Sequence, residues 1–248
     1  MDEIVEKLAG LLQRIPTEKK DQVLAEAEKV RSENIEKLGR FFNKQIQALE
    51  AQQYCPHIIT EKFIDHRDQI IEIAFKLWQE KYHFQNLTML QTKGICLFLL
   101  VIPETYLSIH TQVVMLRGKN GIGYTDLAVE DIRNIIEAPR GLYAIFDVED
   151  GQATQNKPAK IAAQIIEEQG RRCLVTVEII SLGIHTAVLL NHSIGAFGSR
   201  DESSKEPEET YLWRGDGRPQ LFSLFVEHQD CSGGTPSCDK TLTFVLGN

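Results

Sequence analysis

The sequence predicts a mixed α/β domain, a mixed sheet with flanking helices, behind an N-terminal helical segment. Three observations carry that prediction. Of the 17 glycines and eight prolines in the 248 residues, only Gly10, Gly39, Pro16 and Pro56 lie before residue 90. Apolar residues in that stretch recur at helical spacing among Glu and Lys, whereas beyond it short apolar runs of strand length alternate with turn residues. A chain of this length makes one large domain or two small ones. We therefore divide it into a helical segment, 1–90, and an α/β domain, 91–248.

Taken in order, Ile4, Leu8, Leu11 and Leu12 form the apolar face of a first helix that stops before Pro16. Pro16 suits the first turn of a second helix, where its missing N–H costs nothing. That helix runs to about Gln53, with Leu24, Ala27, Ile35, Leu38, Phe42, Ile46 and Leu49 as its stripe and Glu28, Lys29, Glu33 and Lys37 on the exposed face. Its length, roughly three times the usual 11–12 residues, requires a neighbour or a partner to cover it. Cys55-Pro56 ends it, and Thr60 then caps a third helix carrying Phe63, Ile70, Ile71, Ala74, Phe75 and Trp78 inward.

Ile95–Ile102 is a continuous apolar run closed by Pro103, a buried strand, and Leu142–Val148 is the next. Alternation along that strand puts Tyr143, Ile145, Asp147 and Glu149 on one face and Leu142, Ala144, Phe146 and Val148 on the other. Pro158 opens a helix bearing Ile161, Ala162, Ile165 and Ile166, closed by Gly170. Thr176 starts another, with Ile179, Ile180, Gly183, Ile184, Ala187 and Val188 inward. Ile194–Phe197 is a short strand, and the acid-rich stretch Asp201–Glu209 is a solvated loop. Tyr211–Trp213 and Leu221–Val226 form a hairpin around Gly215-Asp216-Gly217.

The net charge of −8, from 35 acidic against 27 basic side chains, argues against nucleic acid or anionic membrane as partners. No apolar run approaches the 18 or so residues of a membrane span, and no signal region is read at the N-terminus. Five cysteines, odd in number and thinly spread, fit a reducing compartment. The expectation is a cytoplasmic protein without a cofactor.

No phosphate-binding loop, esterase elbow or zincin motif is present. Gly118–Gly123 reads as a turn, and Trp213 borders either a ligand groove or simply its strand neighbours. Asp147 and Glu149, at the carboxyl end of a strand, stand where open α/β sheets place ligands. With Arg171, Arg200 and Cys238 they make a candidate polar cleft; the competing reading pairs the two acids with turn amides or with Arg171 or Arg172. His228, Cys231 and Cys238 are a weak set of zinc ligands, since a C-x6-C spacing is not a usual knuckle; two free cysteines in a loop is the preferred reading.

The blocks Phe98–Pro103, Leu142-Tyr143, Asp147–Gly151, Pro158, Gly170-Arg171, Leu174 to Glu178, Gly183-Ile184, His192, Gly198–Arg200, Leu212-Trp213, Pro219 and Ser237-Cys238 follow one another in an order that resembles a family of bacterial proteins. That family is common in actinobacteria and is described only as a domain of unknown function. The resemblance covers roughly residues 95–240 and implies a bacterial cytoplasmic protein with one α/β unit; Asp230-Cys231 departs from the family, which tends to show a Trp there. It brings no activity with it. The reading from the residues is a binding or regulatory protein whose helical segment serves self-association or a protein partner. The alternative is a small enzyme, a hydrolase or a metal-assisted one, working in the polar cleft.

Overall fold

The computed structural model describes residues 17–203, 205–206, 208–213, 215–225 and 233–247. The first helix expected from the sequence, and Pro16 with it, lie outside the described residues. Helix α1 (Thr17–Glu50) is the long one. Pro56, in an extended conformation, leads into α2 (His57–Asp65), and α3 (Arg67–Glu80) follows after a break at His66. The single helix expected from Thr60 is thus two. Thr60 caps neither, being buried within α2 with its hydroxyl donating to the His57 carbonyl.

The chain continues through α4 (Leu87–Thr92), β1 (Ile95–Val101), α5 (Ile109–Met115), β2 (Arg117–Gly118), β3 (Gly121–Ile122), β4 (Tyr124–Thr125), β5 (Ile132–Asn134) and β6 (Tyr143–Glu149). Next come α6 (Ala159–Glu168), β7 (Arg171–Cys173), α7 (Thr176–His185) and α8 (Val188–Asn191). The last strands are β8 (Ile194–Asp201), β9 (Glu208–Trp213), β10 (Gln220–Phe225), β11 (Ser237–Asp239) and β12 (Thr243–Val245).

Two sheets result. The first runs β1-β6-β11-β7, antiparallel throughout, and β12 shares the second edge of β6 with β11. The second runs β4-β10-β9-β8-β5, mixed because β4 lies parallel to β10. The expected hairpin is β9–β10, paired antiparallel from Trp213–Gln220 to Glu208–Phe225. The strand expected to end at Phe197 extends to Asp201, past an irregularity between Ala196 and Arg200. The loop after it is correspondingly shorter, and Asp201 and Glu209 are buried in strands rather than solvated.

Helix α7 is caught between the sheets, its Ile179 and Ile180 wholly buried against residues of both. It stops at His185, before the Ala187 and Val188 expected on its inner face, because the Thr186 hydroxyl donates to the Leu182 carbonyl and accepts from Val188 N. On the opposite face of the first sheet lie α1–α3. Phe42, Phe63 and Trp78 from these helices share one core with Phe98, Leu100, Ala144 and Phe146 from the strands. The change of composition near residue 90 is therefore a change of secondary structure, with packing running straight across it.

β1 is an edge strand, and its outward backbone groups need partners. Gln45 of α1 supplies them: its Nε2 donates to the Phe98 carbonyl and its Oε1 accepts from Leu100 N, both at 3.0 Å. One buried amide here does the pairing of an absent strand.

The shared core predicts that Trp78→Ala lowers stability by about 3–5 kcal/mol in a single transition. With Trp213 then the remaining tryptophan, helical circular dichroism and Trp213 fluorescence should be lost together on denaturant titration. Separate midpoints would show that the helices fold as their own unit.

Candidate functional site

Asp147 is 1% exposed and has a left-handed backbone, φ 55, in the middle of β6. Its neighbours show the effect: Val148 packs with Tyr143 and Ile145, not with Phe146 as simple alternation predicts. β1 changes phase opposite, where Leu97 and Phe98 both join the helical side, so the pairing of Cys96 with Val148 and Phe98 with Phe146 survives.

Three groups close on this carboxylate. Lys81 Nζ donates to Oδ2 at 2.6 Å, Arg171 Nη1 reaches the same oxygen, and the Tyr82 hydroxyl donates to Oδ1. Arg171 Nη2 donates to the Asp147 carbonyl, which lies between the stretches of β6 taken by β11 and β12. Arg171 Nε donates to Ser237 Oγ at 2.8 Å. Lys81 and Tyr82 are aimed inward where α3 ends, just before His83 and Phe84, which are themselves left-handed. Burial, together with the hydrogen bond to Asp147, pushes the Tyr82 phenol far above its ordinary value, so it remains a donor.

The next residue, Arg172, faces the other way, as consecutive strand residues must. It grips Glu178 of α7 through two bonds of 2.8 and 2.7 Å, while Tyr143 Oη and Val175 N donate to the same fully buried carboxylate. β7 thus neutralises one buried acid on each face of the first sheet.

The five residues of the expected polar cleft separate accordingly. Asp147 and Arg171 form the ion pair just described. Glu149 lies at the end of the same strand, its Oε1 accepting from Ala153 N, and burial raises its pKa. Cys238 is buried beside Arg172, and burial raises its thiol pKa rather than activating it. Arg200 belongs to the second sheet, paired across β8–β9 with Glu209. Asp147 and Cys238 are closed off from solvent, so the expected cleft is instead an ion-pair lattice joining strand, helix and C-terminal strands. Lys81 and Tyr82 were not anticipated as members, and Arg172, weighed as a partner of Asp147 or Glu149, pairs with Glu178 instead.

His228 and Cys231 lie outside the described residues. Among those described, no three His, Cys, Asp or Glu side chains gather as metal ligands, and no helix is long and apolar enough to cross a membrane. Trp213 lines a shallow depression with His192 and Ser193. A larger groove, of about 670 Å³, lies between the first half of α1 and α3, walled by Val23, Ala27, Val30, Phe75 and Phe84. No family model matches the sequence, no curated protein matches it, and no solved structure matches it. The resemblance over residues 95–240 therefore lends this chain no activity.

Two outcomes follow from these contacts. Asp147→Asn keeps the side-chain shape and tolerates the left-handed backbone, but leaves Arg171 buried without its counter-charge; stability should fall by about 3–5 kcal/mol, read from urea midpoints. An unchanged midpoint would contradict the lattice. Glu209 is lifted by burial to about 7, with Arg200 pulling the other way. Folded, it holds a proton that the unfolded chain releases near its ordinary 4.5, so its contribution is present at low pH and is lost as pH rises towards 7. Glu209→Gln should remove that loss, at most about 1.4 kcal/mol per pH unit, and be more stable than the parent above pH 7. Parallel stability–pH curves for the two proteins would contradict this assignment.

Proposed function

We propose that this is a non-enzymatic binding or regulatory protein that associates through the first half of its long helix, acting in the reducing cytoplasm of a bacterium. The observation that carries the reading is the exposure of α1. Its second half buries Leu38, Phe42, Ile46 and Leu49 within the chain. The surface left for a partner is therefore narrower than the whole stripe from Ala27 to Leu49. On the first half, Val23 is 47%, Leu24 52% and Val30 43% exposed. Val23, Ala27 and Val30 fall four and three residues apart, one helical seam, and open into the groove beside Phe75 and Phe84.

The partner we assign is a second copy. Two such helices laid antiparallel about the Glu26–Ala27 step set Val23 of each against Val30 of the other, and Ala27, the small residue of the seam, permits close approach. A surface that matches itself under a two-fold is what an isologous dimer requires. Cys55, Cys96, Cys173 and Cys238 are all unpaired, in keeping with a reducing compartment.

Sedimentation across a hundredfold concentration range should show reversible dimerisation. Val23→Glu and Val30→Glu, both at exposed positions, should each weaken it at least about tenfold without changing the thermal transition. A parent that sediments as a concentration-independent monomer overturns self-association.

A further inference from the structure

On β9, Leu212 packs into the core against α7, so Tyr211 and Trp213 point to the other face of the second sheet. Trp213, the last residue of the strand, is left 45% exposed there. Phe222 of β10 holds its indole edge to face, with ring centroids 6.1 Å apart. A Cβ at Gly215 would stand 3.4 Å from Trp213 Cζ3, so the ring lies along the turn that follows it. Ile194 pairs with Leu212, and the residues just before it, Asn191, His192 and Ser193, are thereby brought alongside Trp213. The depression they form with Gly215 encloses about 350 Å³, within the range for ligand sites.

Its polar groups are of one kind. Among the described residues, none bonds the Asn191 side-chain amide, the Ser193 hydroxyl or the Trp213 indole N–H. Asn191 and Trp213 are exposed and Ser193 is partly so. His192 between them is pinned as a wall, its Nε2 donating to the Asp150 carbonyl at 3.1 Å. No acid, lysine or arginine stands among the described lining residues, so a charged ligand would find no counter-ion there. An aromatic plate beside uncharged donors and acceptors calls for an uncharged molecule with one face of C–H bonds and a rim of hydroxyls. The slightly positive C–H edges lie on the negative face of the indole, and the hydroxyls exchange hydrogen bonds with amide and hydroxyl side chains. A pyranose with all its hydroxyls equatorial is built in this way. A nucleotide would lay its base on the same plate but leave its phosphate without a cation.

We propose that this depression binds a neutral pyranose of the β-gluco type, with its C–H face on Trp213 and its hydroxyls bonded to Asn191 and Ser193. The site is separate from the groove along α1 and does not depend on association of the chain.

Methyl β-D-glucopyranoside is the probe for the full chain. Sorbitol, which carries hydroxyls on an open chain, and adenine, a flat ring without them, are the comparisons. Trp78 is buried with its Nε1 donating to the Gln85 carbonyl, so its indole N–H signal is an internal reference. The glucoside should move the Trp213 indole signal saturably and leave that of Trp78 in place, while sorbitol at equal concentration moves neither. Asn191→Ala, at an exposed position, should weaken binding about fivefold or more with an unchanged thermal transition. Trp213→Ala should abolish the saturable shift of the Ser193 amide seen in the parent; if that variant does not fold, the Trp213 signal of the parent and the Asn191→Ala result decide. A Trp213 signal unmoved up to the solubility of the glucoside, an equal response to sorbitol, or parental affinity in Asn191→Ala would each overturn the proposal. Adenine binding more tightly than the glucoside would assign the plate to nucleobases and overturn it as well.

Discussion

A carboxylate removed from water must be answered by cations and donors, and in this chain the demand of Asp147 organises most of what surrounds it. Lys81 and Tyr82 arrive from the end of α3, Arg171 from β7, and Arg171 is braced in turn by Ser237 of β11. Segments far apart in sequence are held to one point. The left-handed backbone at Asp147 belongs to the same arrangement, because it turns the carboxylate towards α3 in a strand whose alternation would have sent it to the other face. Such backbone strain persists where the surroundings over-determine it, and here four contacts do so.

Arg171 and Arg172 divide the work between the two sides of the sheet. One holds the helical layer through Asp147, and the other holds α7 through Glu178, so a three-residue strand fastens the layers above and below it. The apolar contacts set the strength of the core, and these charged contacts set how its parts are oriented. Side chains engaged in this way hold the layers to one another, which turns attention to a feature outside the lattice, the unfinished seam of α1.

The sequence was legible where one physical signal ruled a segment. The apolar run at Ile95–Ile102, the helix between Pro158 and Gly170, and the β9–β10 hairpin all stand as read, since burial, capping and turn chemistry each act locally. It was opaque where distant groups decide. Asp147 changes the phase of β6 for the sake of Tyr82 and Arg171, and no periodicity announces that. β7 and β11 are strands of three residues whose side chains are arginine, cysteine, serine and aspartate, so hydrophobic patterning passes over them. Arg171-Arg172 was still a usable signal, because adjacent arginines in a chain otherwise poor in basic clusters suggest a strand serving two buried acids. Arg200 was grouped with Asp147 because its strand, just after Phe197, could neighbour that of Asp147, and the fold puts it on the other sheet. His185 closes an apolar helix, where nothing local distinguishes a packed imidazole from one lining a cleft.

Gln45 carries a liability of a different kind. The open edge of β1 is sealed by one primary amide that donates at one end and accepts at the other. Slow hydrolysis of that amide, the ordinary ageing chemistry of glutamine, would replace its N–H donor with a carboxylate oxygen facing the Phe98 carbonyl. Attraction would become repulsion along an edge where the sheet can grow. A molecule aged in this way would present a free strand edge to its neighbours, so the seal on β1 also acts as a clock on how long the protein stays safe from edge-to-edge aggregation.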